Sequence, residues 1–238
     1  MNSKSMLRVA TCTHQAADYA VKNWHYSRCM PSGKLVLHGV WEHDRYRGAV
    51  MFGRGAIHHI GKPFGVTQAQ ICELVRIALG SHTTPVSRIM SICLRLLRTT
   101  NPGLRAVVSY ADAAQGHHGG IYQATNWIYV GATVAPHVIL HNVTCHPRSV
   151  NAKYGTWSIP WLRKNVDPNA RLADGKPKHK YVMPLDSAMQ TKVQAMSQPY
   201  PKRATSIGAD APGDQPGEGG SQPTVALHIG NGTAGEHN

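Results

Sequence analysis

The most constraining stretch of this chain runs from residue 72 to residue 110, where the hydrophobic period changes from two to about 3.6 and back. Residues 72–79 (CELVRIAL) alternate as a strand does. Pro85 then opens VSRIMSICLRLLRTT, in which Val86, Ile89, Met90, Cys93, Leu94 and Leu97 make one helical stripe. Thr84 stands where an N-cap is expected, with Pro85 in the first turn. Asn101-Pro102-Gly103 stops the helix. Residues 104–110 (LRAVVSY) form a second β-prone run. A strand, a helix and a strand in such close succession read as a βαβ crossover, which requires two parallel strands in one sheet under a covering helix.

The flanking sequence extends that sheet. His14–Trp24 carries Ala17, Ala20, Val21 and Trp24 at helical spacing. Residues 34–41 (KLVLHGVW) and 46–52 (YRGAVMF) read as a β-hairpin, and 53–70 as a Gly-rich loop. A short helix is expected over 119–127, a strand over 128–133 (IYVGAT) and a closing strand over 181–185, with mixed signals between 141 and 180. The fold class is therefore α/β, a mixed central sheet flanked by helices in one domain of residues 1–190. From 191 onward Pro, Gly, Ser and Ala dominate, and segments such as APGDQPGEGGSQP bury too little surface to offset their ordering entropy, so a disordered tail is expected.

Charge narrows the partner. The formal net charge is +13 over 238 residues, 42% of them hydrophobic. The last 45 residues hold Lys202 and Arg203 against Asp210, Asp214, Glu218 and Glu236; removing that net −2 leaves +15 on the rest. So concentrated a positive field attracts a polyanion, and nucleic acid is the commonest one. The basic extension 146–186 includes Arg148, Lys153, Arg163, Lys164, Lys178 and Lys180, interleaved with Tyr154, Trp157 and Trp161, so cations can track phosphates while aromatic planes stack on bases. The five cysteines are odd in number, widely spaced and without a C-x-x-C pair, which argues against a disulfide framework or a cysteine zinc site. No apolar run approaches 18 residues and no leader pattern is visible, so no membrane partner and a reducing cytoplasm are expected.

Two resemblances sharpen this reading. Glu73-Leu74-Val75-Arg76, the loop Leu79-Gly80-Ser81-His82-Thr83-Thr84 and the helix from Pro85 resemble the GNAT (N-acetyltransferase) superfamily, in which that helix N-terminus faces the pyrophosphate of CoA. The usual Gln/Arg-x-x-Gly-x-Gly/Ala loop is absent. The resemblance implies an acetyl-CoA or related acyl donor, with Arg76, Ser81, Thr83 and Thr84 on the cofactor anion. It also implies Tyr122, in GIYQATNW, as a catalytic acid. More specifically, NWHYSRCMPSGKLV (23–36), ELVRIAL (73–79), YADAAQGHHGGIYQATNWIYVG (110–131), HPRSVNAKYGT (146–156) and KHKYVMPL (178–185) resemble the Mom family of phage DNA-modification proteins. That resemblance implies conversion of adenine in duplex DNA to its N6-carbamoylmethyl (acetamido) form. It further implies masking of phage DNA from host restriction, action in the host cytoplasm, a small-molecule donor of the group, iron as a candidate cofactor and a phage accessory protein as a candidate partner.

Residue by residue, the Mom-like motif places His25 in the active site as base or ligand, against the alternative of a helix-terminal histidine. Tyr26 and Arg28 would touch substrate or DNA phosphate. Asp112 follows an apolar strand at the end of a sheet, where α/β clefts form; it would orient or activate the adenine amine, or else cap a turn. Tyr122 would serve as acid or as a packing tyrosine, and Ser109 and Tyr110 are weaker candidates. The competing functions are an ordinary acetyl-CoA-dependent N-acyltransferase and a non-enzymatic DNA-binding protein.

Overall fold

The computed structural model describes residues 7–55, 59–113, 116–175 and 177–202, without the side chain of Arg148. The tail from 203 onward lies outside the described residues. A seven-stranded sheet organises the chain. Strands β1 (Leu7–Thr11), β2 (Leu35–Glu42), β3 (Arg45–Gly53) and β4 (Ile71–Leu79) run as antiparallel neighbours. Helix α2 (Val86–Thr100) then crosses to β5 (Ala106–Asp112), which pairs parallel to β4 as the crossover requires. β6 (Ile128–Thr133) closes the far edge, and β10 (Lys178–Pro184) slots between β5 and β6, antiparallel to both.

Alternation along the strands separates two layers of helix. Ile89, Met90, Cys93 and Leu97 of α2 pack with Cys72, Leu74, Ile77, Val107 and Ala111 on one face. On the other, α1 (His14–Trp24) buries Ala17, Ala20 and Val21 against Met51, Val75 and Ala78. Helix α6 (Ser187–Gln194) sets Met189 and Val193 on Ile71, Val108 and Val182 of that same face. Apolar burial contributes about 25 cal/mol per Å² to such layers.

Local chemistry fixes the ends of these elements. The hydroxyl of Thr13 accepts the Ala16 N–H at 3.2 Å and caps α1. His43 and Asp44 both lie in the left-handed region (φ 49° and 60°), the two-residue turn whose twist suits the β2–β3 hairpin. Thr84 does not cap α2 as expected: that helix follows Pro85, and the Thr84 amide is turned to a carboxylate elsewhere. The helix expected over 119–127 is one turn, α3 (Gly120–Gln123). Asn126 enters the left-handed region (φ 61°) and the Trp127 N–H returns to the Tyr122 carbonyl at 2.9 Å, ending the helix so that the Trp127 ring enters the core.

Residues 134–177, between β6 and β10, build a second small sheet. β7 (Pro136–Leu140) pairs with β8 (Val143–Cys145) and β9 (Arg171–Asp174), and α4 (Pro147–Tyr154) and α5 (Ile159–Asn165) complete it. Its core is Val138, Leu140, Val150, Leu162 and Ala170. Of the residues assigned by sequence to the tail, 191–194 finish α6, and 195–200 are exposed but tied to the main sheet: Gln198 N–H reaches the Tyr129 carbonyl at 2.9 Å and Tyr200 Oη the Trp127 carbonyl at 2.8 Å.

Candidate active site

Arg76 owes its direction to a β-bulge. Against β3 the register runs Met51↔Arg76 and then Phe52↔Leu74, leaving Val75 as an extra residue. Leu74 and Ile77 both pack on the α2 side, so the two residues between them, Val75 and Arg76, turn to the α1 face. Arg76 is only 2% exposed, and its Nη1 donates to the Val75 carbonyl at 2.8 Å.

His25 reaches the same place from the end of α1, where its N–H closes the helix on the Val21 carbonyl. The ring is 4% exposed. Ser27 holds Nδ1 with its backbone N–H at 3.2 Å and its hydroxyl at 2.9 Å. Since a backbone N–H can only donate, Nδ1 accepts, which assigns the proton of the neutral ring to Nε2. Burial, reinforced by the charges of Arg76 and His117, pushes the His25 pKa down to about 3, so the ring is neutral at physiological pH.

Asp112 ends β5 on this face of the sheet and is 3% exposed. Its register partner on β10 is Lys178, whose Nζ lies 3.5 Å from Oδ2. One pair further along that face are Tyr110 and Lys180. The Lys180 ammonium sits 4.6 Å over the Phe64 ring, and burial lowers its pKa against an opposing pull from Glu73. His117 donates its backbone N–H to the Asp112 carbonyl at 3.2 Å. Tyr26 is 42% exposed; it stacks on His25 at 4.6 Å and reaches the His117 ring at 6.2 Å. Buried charges of both signs thus share one face of the sheet with a neutral imidazole that lies under an exposed aromatic ring. Such a set can hold an anion, take a proton from an amine and stack on a planar substrate.

The sequence-derived residues divide among three places. His25, Tyr26, Arg76, Asp112, Lys178 and Lys180 share this face. Tyr122 stands on the opposite face, wholly buried, with its hydroxyl 2.7 Å from Ser109 Oγ and its ring stacked on Tyr181 at 4.9 Å. Ser81 is exposed, whereas Thr83 and Thr84 are engaged by Glu42. The Thr83 N–H lies 2.9 Å from Oε2, and the Thr84 N–H lies 2.6 Å from Oε1. The two threonines expected on a cofactor anion therefore already hold an internal one. Glu42 was missed, and no local pattern links a hairpin carboxylate to amides 41 residues away.

Lys153 and Lys164 are exposed on the small sheet's helices, near exposed Trp157 and Trp161. Arg163 donates from Nε to the Ala170 carbonyl at 2.7 Å, so it braces that unit. Arg28 is exposed in a left-handed turn (φ 50°), and the Arg148 side chain lies outside the described residues. Among the described residues no three His, Cys, Asp or Glu side chains gather closely enough to hold a metal ion. The iron implied by resemblance therefore finds no donor set among them.

Comparison with known proteins places the chain. The profile of the Mom protein family matches residues 6–202. The methylcarbamoylase Mom of Escherichia phage Mu is 25% identical over 204 residues, spanning 82% of this chain and 84% of the relative. A solved structure from Acinetobacter baylyi ADP1, provisionally assigned as an acetyltransferase, superposes with a TM-score of 0.44 at 12% identity, covering 79% of this chain and 96% of that one. The family match runs from the first strand of the sheet to the residues beyond α6, so it takes in every element that builds the site: the chain belongs to the Mom protein family.

Proposed function

We propose that this chain is a DNA-modifying enzyme that attaches a carbamoylmethyl group to N6 of adenine in duplex DNA, so that phage DNA escapes host restriction. The observation that carries the reading is that buried His25 stacks under Tyr26 and feels the charges of Arg76 and His117, while His117 is bonded through its N–H to the carbonyl of buried Asp112 on the same face of the sheet. Membership of the Mom family and the relative named methylcarbamoylase supply the reaction class.

The product sets the chemistry. Its new bond joins N6 to a methylene carbon, whereas acyl transfer joins nitrogen to a carbonyl carbon. N6 is a weak nucleophile because its lone pair is delocalised into the ring. Asp112, beside the Lys178 ammonium, orients the amine and receives the proton that N6 loses as the bond forms, while the bond from the donor's methylene carbon to its leaving group breaks and the leaving group departs with that electron pair. His25, neutral with its proton on Nε2, takes part as a hydrogen-bonding group rather than as an imidazolium acid. The Arg76 charge favours an anionic part of the small-molecule donor. Adenine inside a duplex cannot reach a patch this buried, so the base is flipped out and received against Tyr26. The small sheet, with Lys153, Lys164, Trp157 and Trp161 on its surface, tracks the flanking backbone.

The test is nucleoside mass spectrometry of plasmid DNA from cells expressing the chain, beside Asp112→Asn. Deoxyadenosine heavier by about 57 Da, the increment of a carbamoylmethyl group, is expected with the wild type and lost with the variant. Unmodified DNA from well-folded, abundant protein rejects the reading.

A further inference from the structure

We infer that Glu42 is a built-in anion occupying the head of α2, so that the donor used by this chain is not gripped there through a nucleotide diphosphate. The GNAT-like resemblance implies that the free amides before this helix receive the pyrophosphate of CoA. In this fold those amides are already engaged. Glu42, the last residue of β2, is 1% exposed. Its Oε1 accepts the Thr84 N–H at 2.6 Å and the Thr83 hydroxyl at 3.3 Å, and its Oε2 accepts the Thr83 N–H at 2.9 Å. Arg47 Nε stands 3.8 Å from Oε2 on the other side. Pro85 has no N–H to offer, and the N–H groups of Arg88 and Ile89 return to the Pro85 carbonyl.

A carboxylate in this position gives the helix dipole the charge it favours and repels a second anion. Burial opposes its ionisation, but the hydrogen bonds from Thr84 and Thr83 prevail and hold it down to about 2, so it is charged at every physiological pH. A diphosphate would have to displace a buried carboxylate from three hydrogen-bond donors and the nearby Arg47 charge.

The second group implied for CoA is engaged as well. The parallel ladder between β4 and β5 ends at Glu73↔Val108. The next acceptor, the Leu74 carbonyl, is taken by Ser109 Oγ at 2.9 Å, and that oxygen meets Tyr122 Oη at 2.7 Å. The tyrosine implied as the catalytic acid is thus tied, at full burial, into the apex of the gap where the strands part.

The inference narrows the donor in the reading above without depending on adenine as the acceptor, because its test is a binding titration that involves no DNA. Wild-type protein labelled with ¹⁵N is titrated with CoA, following the Thr83 and Thr84 amide signals, and its melting temperature is read with CoA and with inorganic pyrophosphate. No movement of those signals and no rise in melting temperature are expected. Glu42→Ala frees the amides; its melting temperature should fall below wild type and be partly restored by millimolar pyrophosphate. Micromolar CoA binding by the wild type with displaced Thr83 and Thr84 signals would overturn the inference. So would a Glu42→Ala protein that folds and is indifferent to pyrophosphate. Should that variant fail to fold, the wild-type titration still decides.

Discussion

The Leu74–Ser109–Tyr122 chain allows a stability prediction whose asymmetry follows from proton count. The Leu74 carbonyl can only accept, so the single Ser109 proton is committed to it at 2.9 Å. Tyr122 Oη must then be the donor in its 2.7 Å bond to Ser109 Oγ. Ser109→Ala removes a hydrogen-bond partner from two buried groups at once, a strand carbonyl and a phenol. Each loses a hydrogen bond worth about 1–3 kcal/mol when no replacement arrives, so a loss of about 3 kcal/mol is expected. For a domain of this size that lowers Tm by about 6–12 °C. Tyr122→Phe removes a donor but leaves the Ser109–Leu74 bond intact, and should lose only about 0.5–1.5 kcal/mol. In the double variant no phenol remains to be stranded, so the two effects should sum to less than their separate values, with a coupling of about 1 kcal/mol. Urea denaturation of the four proteins measures all three terms, and equal m-values confirm a common unfolded reference. Equal losses for the two single variants, or a Ser109→Ala loss under about 0.5 kcal/mol, would refute the proton assignment.

Two further outcomes follow from the charges. The folded state holds the His25 pKa at about 3, below the 6.5 of an ordinary imidazole, so the unfolded chain binds the proton more readily. Stability contributed by neutral His25 is therefore present above about pH 6.5 and declines as pH falls toward 3, approaching about 1.4 kcal/mol per pH unit; His25→Gln should flatten that limb of the denaturation profile. Replacing Lys153 and Lys164 by Gln should weaken DNA binding and reduce the slope of log K against log salt by about 2, one phosphate contact per lysine, whereas an unchanged slope would remove the small sheet from the interface.

The elements that could be read from sequence are those whose signal is local. His14–Trp24 has a capping threonine and a clean apolar spacing, and its bounds emerge as expected. The crossover from β4 through α2 to β5 is present as its change of period requires. The small sheet escaped notice because its strands are three to five residues long, too short to establish a period. Its one local signal was His141-Asn142, a dipeptide that takes φ 49° and 62° in a tight hairpin turn. Within the candidate site, a motif pointed to His25 and a strand end to Asp112, and both side chains are buried. The face that Arg76 occupies was not, because simple alternation puts it with Leu74 and Cys72, and only the extra residue at Val75 reverses that parity. Glu42 lay beyond reach for a different reason: its partners are non-local, and its own sequence context is an ordinary hairpin end.

The position of the small sheet in the chain ties the proposed DNA surface to the proposed chemistry. Residues 134–177 leave the main sheet after Thr133 and return at Lys178, and these two residues are register partners. Lys178 is also the register partner of Asp112, with its ammonium 3.5 Å from that carboxylate. The root of the inserted unit is tightened by Gly175 N–H to the Ala135 carbonyl at 3.1 Å and by Ala113 N–H to the Pro177 carbonyl at 3.2 Å. The second of these bonds starts from the residue next to Asp112. A segment anchored so closely beside the proposed reacting carboxylate cannot shift at its base without disturbing the Asp112–Lys178 pair. Positioning a reacting group to within a fraction of an ångström matters more to rate than affinity does. With the cationic, tryptophan-bearing unit on that root, the proposed grip on the DNA backbone and the proposed placing of the amine would be set by the same few hydrogen bonds.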